Sequence, residues 1–159
     1  MSGLTSVAAL YDWLLFGHIV AAMIWVGAGV LLGVLAVQVV RGGEPAAVAR
    51  FVANLRRIGP FVLAPATVVV IGLGVWMVLE SSAWEFGQTW VELALALFAA
   101  AFLIGAAHQS RAAILAERAA TAGDHEEALR RLAHWAVGYW VIVALLVAAA
   151  WDMVFKPGL

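Results

Sequence analysis

Polar side chains fall along this chain in clusters, and between the clusters lie four long apolar runs, at residues 12–40, 60–79, 90–108 and 134–155. A hydrocarbon core about 30 Å thick takes roughly 20 helical residues to cross, so each run is long enough to span a bilayer. The runs are continuous rather than alternating, and an open sheet facing lipid would leave backbone groups unpaired, so strands are excluded. The pattern predicts an all-α fold, a four-helix transmembrane bundle built as a single integral-membrane domain over residues 1–159.

The polar connections carry their own periodicity. Val48, Phe51, Val52 and Leu55 recur at i, i+3, i+4 and i+7, with Arg50, Asn54 and Arg57 opposite, which predicts a short helix lying in the inner interface. Good helix formers continue the third span past the membrane through Arg118 to about Ala122, where Gly123 breaks it. Asp124 followed three residues later by Glu127 resembles a capping box, and Glu126/Arg130 and Glu127/Arg131 have i,i+4 spacing. The third and fourth helices should therefore form a hairpin projecting from the bilayer.

Composition strengthens the membrane assignment and supplies an orientation. Apolar residues make up 65% of the chain and charged ones 12%, with a mean hydropathy of +1.00, against roughly half and a quarter in soluble domains. The net charge of −1 leaves no cationic surplus for nucleic acid. Arg41, Arg50, Arg56 and Arg57 occupy the first connection, Arg111, Arg118, Arg130 and Arg131 the third, and Lys156 stands at the other side. Short cytoplasmic loops hold the excess of Lys and Arg, so both termini should face outward and the arginine-bearing connections the cytoplasm of a bacterial inner membrane. The first eleven residues carry no Lys or Arg, so the first span should be retained rather than cleaved as a signal peptide. Zero cysteines remove disulfides, thiolate metal sites and cysteine nucleophiles. No P-loop, dinucleotide glycine fingerprint or HExxH pattern occurs.

Ionisable residues at membrane depth are the functional candidates, because each is costly unless paired or facing a cavity. His18 lies about 9 Å down the first helix from Asp12. His108 and His134 stand near the inner ends of the third and fourth helices, offset by about 6 Å, so one cofactor bridges them only if the helices tilt. His125 sits in the projecting turn and Glu92 just inside Trp90. His18 is on the order of 18 Å above His108, too far to share a metal. Small residues surround its level: Gly72, Gly74, Ala94, Ala96, Ala99, Ala100 and Ala148 to Ala150. Such residues ordinarily let helices approach, as in the GxxxG of Gly29 and Gly33, but they also make room for a flat macrocycle. Trp25, two turns after His18 on the same face, would wall the same cavity. Trp13, Trp84, Trp90 and Trp151 fall near the outer boundary as an aromatic belt.

The run His18-Ile-Val-Ala-Ala-Met-Ile-Trp25-Val-Gly27 resembles the first-helix signature of a group of small bacterial multi-span proteins. The group includes copper-resistance D-like proteins, the membrane-bound protoporphyrinogen oxidase type and several four-span families of unknown function. Pro65 with Gly72 and Gly74, and the ending Asp152-Met-Val-Phe-Lys156-Pro157, resemble one of those uncharacterised families. The resemblance implies b-type haem on the first-helix histidine, here His18, although no second histidine lies at its depth.

Three functions stand open. A haem-b protein would hold iron on His18, with Trp25 beside the ring and either an open sixth position for a small gas or peroxide or a soft ligand such as Met77 or Met153, giving a redox or electron-transfer role to an unidentified donor. A variant places haem on His108 and His134, with propionates facing Arg111, Arg130 and Arg131. A copper-handling protein would use His18, Met23, Met77 and Met153, since imidazole and thioether suit copper. A non-catalytic structural subunit, alone in the bilayer or as a homo-oligomer, fits the same chain.

Overall fold

The computed structural model describes the backbone from Ser2 to Leu159, with side chains in the first helix from Ala9 onward. Among the described residues every regular element is helical. The chain runs α1 (Ser2–Gly42), α2 (Pro45–Ile58), a π-helical segment (Gly59–Leu63), α3 (Ala64–Glu80), α4 (Thr89–Leu103), a second π-helical segment (Ile104–Gln109), α5 (Ser110–Thr121) and α6 (His125–Phe155). The π segments join α2 to α3 and α4 to α5 without a break, so among the described residues four helices are long and apolar enough to cross a membrane: Ala9–Gly42, Pro45–Glu80, Thr89–Thr121 and His125–Phe155.

Punctuation follows local chemistry. Gly43, at a φ of +64°, ends α1, and Pro45 starts α2 at a position where its missing N–H would have no helical partner. Pro60 stands inside a continuous helix, where proline ordinarily clashes with the carbonyl four residues back. The wider π turn absorbs it, and Thr67 donates its hydroxyl to the Leu63 carbonyl at 2.8 Å where the segment ends. At the hairpin tip Gly123 takes a φ of +79° and Asp124 accepts the Glu127 backbone N–H at 3.1 Å, as the capping pattern predicts. Glu127 itself accepts from both Arg130 and Arg131, so the expected Glu126/Arg130 pair does not form and Glu127 holds both guanidinium groups.

One expectation needs correction. The face Val48, Phe51, Val52 and Leu55 is buried, as its spacing requires, but α2 does not lie alone in an interface. It stands in line with α3 and packs against α5, with Arg56 Nε 3.0 Å from Glu117 Oε2 across the contact. Protein rather than headgroups covers the apolar face. Val48, Phe51, Val52 and Leu55 join Ala112, Ala116, Ala128, Leu132 and Trp135 in one core at the arginine-rich end. His125 Nε2 donates to the Gly43 carbonyl at 2.7 Å and ties the first connection to the start of α6. In this layer apolar surface is driven together by water, whereas along the spans large apolar side chains such as Phe61, Val68, Leu103 and Phe155 remain exposed on the perimeter.

Within the spans, α1 packs on α3 and α6, and α6 packs on α4. The GxxxG pair makes the α1–α6 contact by admitting rings rather than backbone: a Cβ on Gly29 would stand 2.8 Å from Tyr139 Cε1, and one on Gly33 3.2 Å from the Trp140 ring. Helices α3 and α4 do not pack on each other. The bundle therefore holds a slot between them, joined at one end by the α2–α5 contact and bridged at the other by residues 81–88.

Candidate functional site

The slot contains two cavities at different depths. The first, of about 100 Å³, lies at the arginine-poor end and is lined by His18, Met77, Trp84, Trp90, Phe98 and Met153, among others. His18 is buried, and its Nδ1 lies 2.8 Å from the Val70 carbonyl of α3. A carbonyl only accepts, so Nδ1 carries the hydrogen and Nε2 presents its lone pair. Metal-binding histidines are commonly oriented by such a bond from the other ring nitrogen. The ring fits because residue 74 is glycine: a Cβ there would meet His18 Cε1 at 3.2 Å and Nδ1 at 3.4 Å. Of the other small residues predicted around it, Ala94 lines the cavity, while Ala96, Ala99, Ala148 and Ala150 face outward.

The cavity has a roof. Trp84 donates its Nε1–H to the Tyr11 hydroxyl at 3.2 Å and meets Trp90 edge-on at 5.2 Å. Lys156 Nζ lies 5.0 Å and 5.6 Å from the two ring centroids, within cation–π range. Of the four tryptophans assigned to an aromatic belt, Trp13 and Trp151 are exposed as belt residues are, but Trp84 and Trp90 turn inward and cover this pocket.

Trp25 does not share it. It lines the second cavity, of about 580 Å³, which lies toward the arginine-rich end between the two π segments. Trp25 meets Phe98 edge-on at 5.7 Å, and since Phe98 lines the first cavity the pair stands as a partition. His108 and His134 line neither cavity, and both are exposed. The His108 ring rests on Gly138, one turn beyond His134, whose Nδ1 donates to the Arg130 carbonyl at 2.7 Å. They share an outer face of α6 with no slot between them. Arg111 and Glu92 are exposed, and Met23 points outward from the bundle.

Haem b therefore fits poorly as the helices are packed. Pockets that enclose cofactor-sized ligands hold about 300–1,000 Å³. The cavity with the oriented imidazole is well below that range, and the cavity with enough room has no imidazole in its wall. A single ion fits the smaller one, where the free Nε2 of His18 shares the lining with the thioethers of Met77 and Met153. No group of three or more His, Asp or Glu side chains is placed to hold a metal among the described residues.

Among the described residues, two buried side chains with unpartnered polar atoms are absent from the sequence-derived candidates. Asp152 of α6 is 0% exposed, and both carboxylate oxygens lack a hydrogen-bond partner. Its signal was present, since it is a charged residue inside the fourth apolar run. Gln109, at the end of the second π segment, is 5% exposed with its Oε1 unpartnered. A neutral amide just beyond the predicted end of the third span gives little warning of burial.

A family model described as "Predicted integral membrane protein (DUF2269)" matches residues 12–157. That match carries no chemistry and does not extend to the copper-resistance or haem proteins that the His18 to Trp25 run resembles. No curated protein and no solved structure matches the chain.

Proposed function

The chain belongs to that integral membrane family, and we propose that it handles a transition metal within the bilayer, with His18 as the central ligand and copper(I) as the ion. The observation that carries this reading is the His18–Val70 hydrogen bond, which leaves Nε2 as the free nitrogen of a ring lining a small cavity beside Met77 and Met153. Imidazole with thioethers is a soft donor set that favours copper(I) over harder divalent ions. An uncharged pocket also suits a monovalent ion better than a divalent one, because the desolvation cost rises with charge. Met23, exposed on the perimeter, drops out of the ligand set.

Haem on His18 is retained as the second reading because of one feature. Helices α3 and α4 do not pack together, so the slot beside His18 widens without breaking a helix–helix contact. In that case His18 would supply the axial nitrogen and the chain would supply the apolar walls; the redox chemistry would be that of the haem.

Anaerobic titration of the full-length protein in lipid nanodiscs with copper(I), against a chromophoric chelator, tests the first reading. The expected result is one ion per chain, lost in His18→Ala and weakened in Met77→Leu and Met153→Leu. Stoichiometric binding that survives His18→Ala overturns the assignment of the ligand. Absence of copper(I) binding, together with a Soret band after incubation with haem that disappears in His18→Ala, would replace it with the haem reading. Neither signal leaves a structural subunit.

A further inference from the structure

We propose that the larger cavity is a separate binding site for a neutral hydroquinone-class ligand that enters from the bilayer. Both π-helical segments of the described chain border it, through Gly59, Pro60 and Leu63 on one side and Gly105, Ala106 and Gln109 on the other. Such widened turns concentrate at functional sites because they redirect side chains that a regular helix would align elsewhere. Here the second one ends on Gln109, which lines the cavity.

The chemistry of the ligand follows from that amide. Gln109 Nε2 donates to the Trp135 carbonyl at 2.9 Å. Turning the amide over would set two acceptors against each other, so the orientation is fixed. The oxygen that remains is buried and has no donor. An unpaired buried acceptor is costly and selects for a partner that brings an O–H or N–H. Charge is not what the cavity offers. Arg56 is the one charged residue in its lining, and it is committed to Glu117. An anionic ligand would have to compete with Glu117 for that one guanidinium, so a neutral one is favoured.

Shape and access complete the assignment. Trp25, Phe102, Trp135 and Tyr139 contribute aromatic walls, with Trp135 and Tyr139 stacked at 4.7 Å, which suits a flat ring. The volume of about 580 Å³ is within the range of small-molecule sites. Val68 and Phe102 both line the cavity and are exposed, at 67% and 50%, on the apolar perimeter. The mouth thus opens toward acyl chains, between the second and third spanning helices. This site shares no polar group with the His18 cavity and does not depend on the identity of any metal there.

Calorimetric titration of full-length protein in nanodiscs, corrected with empty discs, provides the test. The probes are 2,3,5-trimethylhydroquinone and its oxidised quinone, alike in size but differing in that the quinone has only acceptors to offer Gln109. One hydroquinone per chain is expected, binding about tenfold tighter than the quinone, as one added hydrogen bond to a buried acceptor would give. Gln109→Leu should erase the preference, and Ala106→Trp should block binding while leaving the Gln109–Trp135 bond intact, with helicity checked in both by circular dichroism. Equal binding of the two forms, or no binding above empty discs, overturns the proposal. Displacement by dioctanoylglycerol as effective as by hydroquinone overturns it in favour of a lipid hydroxyl.

Discussion

Replacing Gly29 with alanine separates two physical accounts of the α1–α6 contact. By intrinsic helix propensity alone, alanine in place of glycine stabilises a helix interior by about 1 kcal/mol. The structure predicts the opposite sign. The new Cβ would stand 2.8 Å from Tyr139 Cε1, 3.4 Å from its hydroxyl and 3.5 Å from Val143 Cγ2. Tyr139 is buried and stacked on Trp135 at 4.7 Å, so its ring can retreat only by breaking that stack and moving into the larger cavity. Overpacking of this kind costs about 1–3 kcal/mol. Gly27 supplies the internal reference, because a Cβ there meets nothing within 4 Å. Gly27→Ala should therefore be neutral or stabilising, and Gly29→Ala should fall below it by roughly 1–3 kcal/mol. Gly33→Ala should lie between them, since the Trp140 ring 3.2 Å away is partly exposed and swings aside more easily. Reversible unfolding in mixed micelles of increasing sodium dodecyl sulfate, followed by near-ultraviolet circular dichroism, measures the series. A Gly29→Ala protein as stable as Gly27→Ala would refute the ring-in-notch description. Combining Gly29→Ala with Tyr139→Leu should recover much of the loss, because the clash and the ring are one interaction.

Two other substitutions test features away from the slot. Asp152→Leu should raise stability by roughly 1–3 kcal/mol in the same unfolding assay, because it replaces two buried, unpartnered oxygens by apolar atoms of similar volume; a loss instead would reveal that the carboxylate is paired in the membrane. Asp124→Ala removes the cap on Glu127 and should cost about 1 kcal/mol, with faster proteolysis at the hairpin tip as the local readout, and an unchanged cleavage rate would show that the cap does not hold the turn.

The spans and the hairpin were legible because each depends on a signal confined to one segment. Continuous apolar runs fixed the four crossings, and Val48, Phe51, Val52 and Leu55 announced their burial through spacing alone. What covers that face was not legible, since Pro60 reads as a helix breaker and only the neighbouring α5 makes a continuous α2–α3 rod worth forming. The seven-residue spacing of His18 and Trp25 gives one face correctly, but it also separates them by about 10 Å along the axis. Phe98, contributed by another helix, divides that distance into two cavities. His108 and His134 fell close in axial register, as counting residues from the hairpin tip indicates, yet the face they occupy is turned outward. His108 itself lies within the π turn at Ile104–Gln109, which shifts the helical register there, and nothing in the apolar pattern announces it.

The unsealed side between α3 and α4 also changes what concentration means for this protein. Anything that reaches Gln109 by that route leaves an oily phase rather than water, so occupancy tracks how strongly a compound dissolves in the membrane. Two molecules with the same fit would differ in apparent potency by the ratio of their partition coefficients, and diluting the vesicles at fixed total ligand would shift the midpoint without altering a single contact.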